Sequence, residues 1–247
     1  MRSRSTRAAA LFAPLCLIVA CSHVDAGIPE ADTPPDDPYA RAQYSTVWTA
    51  PSGLDLLSPE GTFLRASIES LDVSAVNGRK DAAVPGFWDA LSGPATAAAA
   101  EFFELGPALP EYGIKRYEVL QHAENGDRLT ATVCAHSQQV GHRSGDRYEF
   151  AIPGPRAQVV SVDRSGPTRP TINQRGRQPR ADSATVFGSW RLTSWERGHF
   201  PDGDPCAGRP LPGVAADSWP QSNSGKLIIS EPPTAANIPG WPGGIGS

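Results

Sequence analysis

Asn125-Gly126 constrains this chain more than any other dipeptide in it. The runs Arg116 to His122 and Leu129 to His136 flank it, and Asn-Gly between two such runs predicts a tight antiparallel hairpin. Three further strand candidates follow, Arg147 to Ile152, Gln158 to Val162 and Thr185 to Trp195, each bounded by Gly, Pro or Asp. Two helices precede the hairpin. Ser58-Pro59-Glu60 reads as an N-cap, a proline at the first helical position and an acid in the first turn. Leu64, Ile68, Leu71 and Ala75 then recur at helical spacing until Asn77-Gly78 stops them, and Ala95 to Leu105 forms a second, alanine-rich helix. Helices followed by four to five antiparallel strands predict an α+β domain over residues 47–211, with the helices packed on a curved sheet. From about Pro212 to Ser247 the chain is Pro- and Gly-rich and reads as an irregular tail, with Leu227-Ile228-Ile229 as an isolated edge strand.

The first twenty residues have a different character. Arg2, Arg4 and Arg7 precede an apolar run from Ala8 to Ala20, too short to span a bilayer and sized like a secretory signal. Its close, Ile18-Val19-Ala20-Cys21, resembles the lipobox of bacterial lipoproteins. That resemblance implies a diacylglycerol on the Cys21 sulfur, Cys21 as the mature N-terminus, and a protein anchored on the extracytoplasmic face of the cell membrane. The alternative is cleavage after Val24-Asp25-Ala26, which would release a secreted protein. Residues 21–46 mix acids with Pro29, Pro34, Pro35 and Pro38 and carry no apolar periodicity, so they read as a disordered, extended tether. Without residues 1–20 the chain holds 19 basic and 26 acidic residues, a formal charge of −7. Such a balance argues against nucleic acid as a partner, or an anionic membrane bound through bulk charge. Arginine outnumbers lysine heavily, since Lys80, Lys115 and Lys226 are the only lysines, which points to a GC-rich, actinobacterial source.

Cys16 leaves with the signal and Cys21 is taken by lipid. Cys134 and Cys206 then remain as a pair on an oxidising side, where one disulfide is expected. No metal or cofactor is expected. His122 and His136 lie on opposite arms of the hairpin. With Asn125-Gly126 as a two-residue turn, His122 faces Leu129 and His136 faces Lys115, which places the two rings about 23 Å apart. Asp202-Gly203-Asp204 lacks the further oxygens of a calcium loop. The nucleophile elbow, the zinc-protease helix and the phosphate loop are all missing from the sequence.

Two sets of residues qualify as binding surfaces. Arg164, Arg169, Arg175, Arg177 and Arg180 fall in one Pro/Gly-rich loop suited to an anionic wall glycan or a lipid headgroup, or else merely solvated and balanced by Asp163 and Asp182. Trp88, Tyr117, Tyr148 and Trp190 either line the mouth of a pocket or pack as ordinary core. The element order over residues 50–198 resembles NTF2-like and cystatin-like domains. Enzyme members of the NTF2-like group hold a carboxylate or histidine base inside a cone, and here Asp72 and Asp89 would be the candidates. The stretch Val186-Phe187-Gly188-Ser189-Trp190-Arg191-Leu192-Thr193-Ser194-Trp195-Glu196, with Asp204-Pro205-Cys206 after it, resembles cell-envelope lipoproteins of an uncharacterised actinobacterial family. The expected role is therefore a lipid-anchored binding or assembly module. Its partners would be a wall glycan, a lipid or another envelope protein, and a small NTF2-like enzyme is the alternative.

Overall fold

The computed structural model describes residues 37, 39–105, 108–170, 186–198, 200–215, 218–219 and 225–241. The fold is mixed α+β, with seven strands in one sheet and two α-helices among the described residues, so the expected four to five strands undercount it. The order of elements differs as well. Strand β1 (Ala42–Thr49) precedes both helices and runs parallel to β2 (Glu111–Asn125). Its first five residues fall in the stretch read as tether. Ala42, Tyr44, Val47 and Trp48 are nevertheless buried, so burial rather than local composition decides that segment.

The remaining strands are antiparallel. β3 (Arg128–Ser144) pairs along its length with β2, and its other edge is shared by two strands. Residues 128–135 pair with β5 (Arg156–Asp163), and residues 141–144 pair with β4 (Arg147–Ala151). β6 (Arg191–Arg197) extends the sheet beyond β5, and β7 (Lys226–Ile229) extends it beyond β4. The last strand of the main sequence prediction is thus shorter than expected, and Trp190 stands just before it. The hairpin forms, but its turn sits one residue further along than expected, which moves the cross-strand partners nearest the turn by two. Asn125 pairs with Arg128, Gly126 and Asp127 make the turn, and Gly126 takes the left-handed conformation at φ +57°. That turn itself sets His122 opposite Ala131, and a register shift between Val119 and Gln121 then sets His136 opposite Arg116, with a second shift following between Arg116 and Ile114.

Helix α1 (Pro59–Asn77) has the expected ends: the Ser58 hydroxyl accepts the Gly61 N–H at 3.1 Å, and Gly78 closes the helix at φ +64°. Its apolar stripe packs on the sheet, where Leu64, Ile68 and Leu71 join Val119, Leu129 and Val160 in one core. The adjacent stripe is buried too. Arg65, Glu69 and Asp72, spaced as one helical stripe, are each no more than 5 % exposed. Glu69 is matched by two indole donors, from Trp48 and Trp241, both at 2.7 Å. Arg65 donates to the carbonyls of Leu56 and Pro239 and lies 4.1 Å over the Trp241 ring. Burial lowers the Arg65 pKa to about 10, which leaves it cationic at neutral pH. Helix α2 (Pro94–Glu104) packs against α1 and β6.

Two segments downstream of β6 close the structure. The disulfide Cys134–Cys206 pins residues 200–215 to the face of the sheet away from α1, and it closes a loop of 72 residues. Loop closure of that length stabilises by about 4 kcal/mol in the chain-entropy picture. Arg209 grips Glu118 through two contacts of 2.7 Å on the same face. The segment around Ile238 then covers the free edge of β1. Trp48 N–H donates to the Ile238 carbonyl at 2.6 Å, and Ile238 N–H donates to the Thr46 carbonyl at 3.0 Å. The tail, expected to be irregular, therefore contributes an edge cover and a fully buried tryptophan, Trp241. Among the described residues, no helix is long and apolar enough to cross a membrane.

Candidate functional site: a cleft between the helices and the sheet

Strands place alternate side chains on one face, and the register decides which meet. Lys115 and Tyr117 of β2 stand two apart, and Tyr117 lies opposite Ala135 of β3. Ala135 lies opposite Arg156 of β5, and Gln158, two residues on, lies opposite Arg197 of β6. All of these positions except Tyr117 border a cleft of about 480 Å³, roofed by Asp72, Ala75 and Val76 of α1 and by Phe102 of α2. Leu105, 78 % exposed, stands at its mouth. The volume lies within the range of small-molecule sites, and the lining mixes apolar side chains with charged and amide groups.

Asp72 holds the inner end. Its Oδ2 accepts the Tyr117 hydroxyl at 2.5 Å and lies 3.9 Å from Lys115 Nζ, while Oδ1 lies 3.8 Å from Arg197. Lys115 also binds Glu111 at 3.0 Å and sits 4.3 Å over the Tyr44 ring. Burial pulls the Lys115 pKa down, but the charges of Glu111, Tyr44 and Asp72 outweigh it, and the ammonium is held above its ordinary range. Burial, reinforced by Asp72, raises the Tyr117 pKa, so the hydroxyl stays a donor. A general base must turn a lone pair toward substrate at about 3 Å. The carboxylate of Asp72 instead accepts one hydrogen bond, from Tyr117, and pairs with the charges of Lys115 and Arg197, all three partners supplied by the protein itself.

The other expected site residues are scattered. Tyr117 is buried and stacks on Trp48 at 4.5 Å, reaching the cleft only through its bond to Asp72. Trp190 is buried, 6.1 Å from Phe63. Tyr148 meets Tyr112 at 5.1 Å, and Trp88 meets Phe103 at 5.8 Å with its indole N–H bonded to the Lys80 carbonyl. The four do not share one mouth. Arg164 is tied to Glu60 and Glu124, and Arg169 is exposed. Arg175, Arg177 and Arg180 lie outside the described residues, as does Cys21. Asp89 is exposed and borders no part of the cleft. Asp72, the other candidate base, is 5 % exposed and borders the cleft.

Among the described residues, no three His, Cys, Asp or Glu side chains converge as a metal site. His142 bonds the Pro110 carbonyl at 2.9 Å, and His136 lies 3.9 Å from Glu118 on the far face of the sheet. The sequence reading missed Glu111, Lys115, Arg156, Gln158 and Arg197. The available signal was polar residues at alternate positions of strands that also carry core residues. Comparison with protein-family models, curated proteins and solved structures finds no match for this chain.

Proposed function

We propose that this protein is a lipid-anchored component of an actinobacterial cell envelope whose α+β domain binds a small ligand in the cleft without transforming it. The lipobox-like run ending at Cys21 supports the anchor, and the acidic, Pro-rich residues 21–46 support a domain held away from the bilayer. Binding without catalysis rests on one observation: the only carboxylate reaching the cleft from α1, Asp72, is already matched by Tyr117, Lys115 and Arg197. Wall glycan fragments, lipids and segments of other envelope proteins are the ligand classes within reach of such a location. Nucleic acid is not among them, given the acidic mature chain.

A second reading has its own observation. Asp72 does sit in an apolar-walled cleft beneath two helices, as the base of an NTF2-like enzyme would. Incubation of the protein with a chromatographed envelope extract, followed by mass spectrometry of bound and unbound small molecules, separates the two. Binding predicts a compound retained and recovered with unchanged mass, by wild type and by Asp72→Asn alike. A compound whose mass changes with wild type and not with Asp72→Asn would replace binding with catalysis.

A further inference from the structure

We infer that the cleft takes a single-chain amphiphile with an anionic oxygen head, gripped by Arg156, Arg197 and Gln158. This rests on the binding reading above and names its ligand class. Charge comes first. Asp72 and Glu111 share Lys115, and Arg197 faces the remaining oxygen of Asp72, so these four charges cancel. Arg156 is the cation left over: it borders the cleft, is exposed, and makes no ion pair among the described residues. The cleft therefore carries one positive charge in excess at its β5 side.

Gln158 adds a second, independent feature. Its side chain is 1 % exposed, and its Oε1 accepts the Trp195 indole N–H at 3.1 Å. An indole nitrogen only donates, so the amide oxygen must face Trp195 and the amide nitrogen must face away. That nitrogen, Nε2, is buried and has no partner. An unmet donor of this kind is costly to bury, and an acceptor brought in from outside would meet it. In the sheet Gln158 lies directly opposite Arg197, and Arg156 lies two residues away on the same face. Two guanidinium groups and a spare amide N–H2 thus border one patch. They present donors only, and their natural complement is an acceptor-only group such as a carboxylate or phosphate.

The rest of the lining fixes the other end of the ligand. Ala75, Val76, Phe102 and Leu105 are apolar, and the mouth beside Leu105 opens to solvent. An acyl or alkyl chain against that wall, with its head on Arg156 and Gln158, satisfies both halves of the site.

The test is titration calorimetry on the whole chain carrying Cys21→Ser, which removes the acylation site, against decanoate, decyl phosphate, decanol and decyltrimethylammonium. Decanoate or decyl phosphate should bind one to one, at least tenfold more tightly than decanol, and the tighter of the two identifies the head. Arg156→Leu, an exposed position that leaves the core alone, should weaken the anions at least fivefold and leave decanol unchanged. Gln158→Met should weaken them in the same direction. Decanol equal to the anions, preference for the cation, or no binding of any of the four would overturn the inference while leaving a different ligand open to the binding reading. A decyl compound recovered chemically altered would overturn the binding reading itself.

Discussion

His136 is buried on the face of the sheet that the disulfide covers, and neither ring nitrogen has a hydrogen-bond partner. Burial pushes its pKa down to about 4, with Glu118 opposing and Arg209 and Arg116 assisting. The folded pKa is thus below the ordinary 6.5, so between about pH 6.5 and pH 4 the unfolded chain holds a proton that the folded one does not. Stability falls as pH drops through that window. The hydrogen bonds from Arg209 lower the Glu118 pKa, and its loss belongs to more acid conditions. Urea midpoints at pH 7 and pH 5 should therefore drop for wild type and change much less for His136→Phe. An equal drop in both would contradict the assignment. Asp72 teaches the complementary lesson at this scale. Its residue type is legible in the sequence, but the three partners around it come from β2 and β6, 43 to 125 residues away, and only the fold brings them there.

At the scale of elements, what the sequence reveals depends on whether the signal is local. Ser58-Pro59 and Asn77-Gly78 mark both ends of α1 because a cap is read within four residues. The Asn125-Gly126 hairpin was legible as a hairpin. Its register was not, because the turn falls on Gly126-Asp127 and not on Asn125-Gly126, and the two shifts further along β2 leave no local mark in the sequence. β1 and the tail escaped for the same reason in stronger form. Ala42–Thr49 becomes a strand by pairing with residues 111–118, and residues near Ile238 are fixed by pairing with β1. Proline and glycine nearby signal turns and say nothing about such distant partners. The tail is consequently a structural element with a measurable share of stability. Trp241→Ala empties a fully buried site and removes one of the two indole donors on Glu69, and it should cost about 3–5 kcal/mol in urea denaturation. Hydrogen exchange at the Trp48 amide, bonded to Ile238, should speed up in the same variant. A loss under 1 kcal/mol would mean that the tail is not integral to the core.

Taken whole, the molecule combines an acidic segment, a disulfide-pinned α+β domain and a cleft with an excess of donors. The α+β class and the Cys134–Cys206 bond were within reach of sequence reasoning, the second because two cysteines remain once Cys16 and Cys21 are assigned to the proposed signal and anchor. The cleft was not, since it is assembled from α1, α2 and four strands whose facing positions depend on register. Binding near a bilayer makes sense of an amphiphile site only if the domain is tethered there, so the anchor is the claim on which the functional account depends. The measurement that tests it most directly is the intact mass of the protein isolated from its native host, taken before and after reduction. The account predicts a chain beginning at Cys21 with a diacylglyceryl group on its sulfur, and a gain of two protons on reduction. An unmodified chain beginning at Gly27 would contradict it.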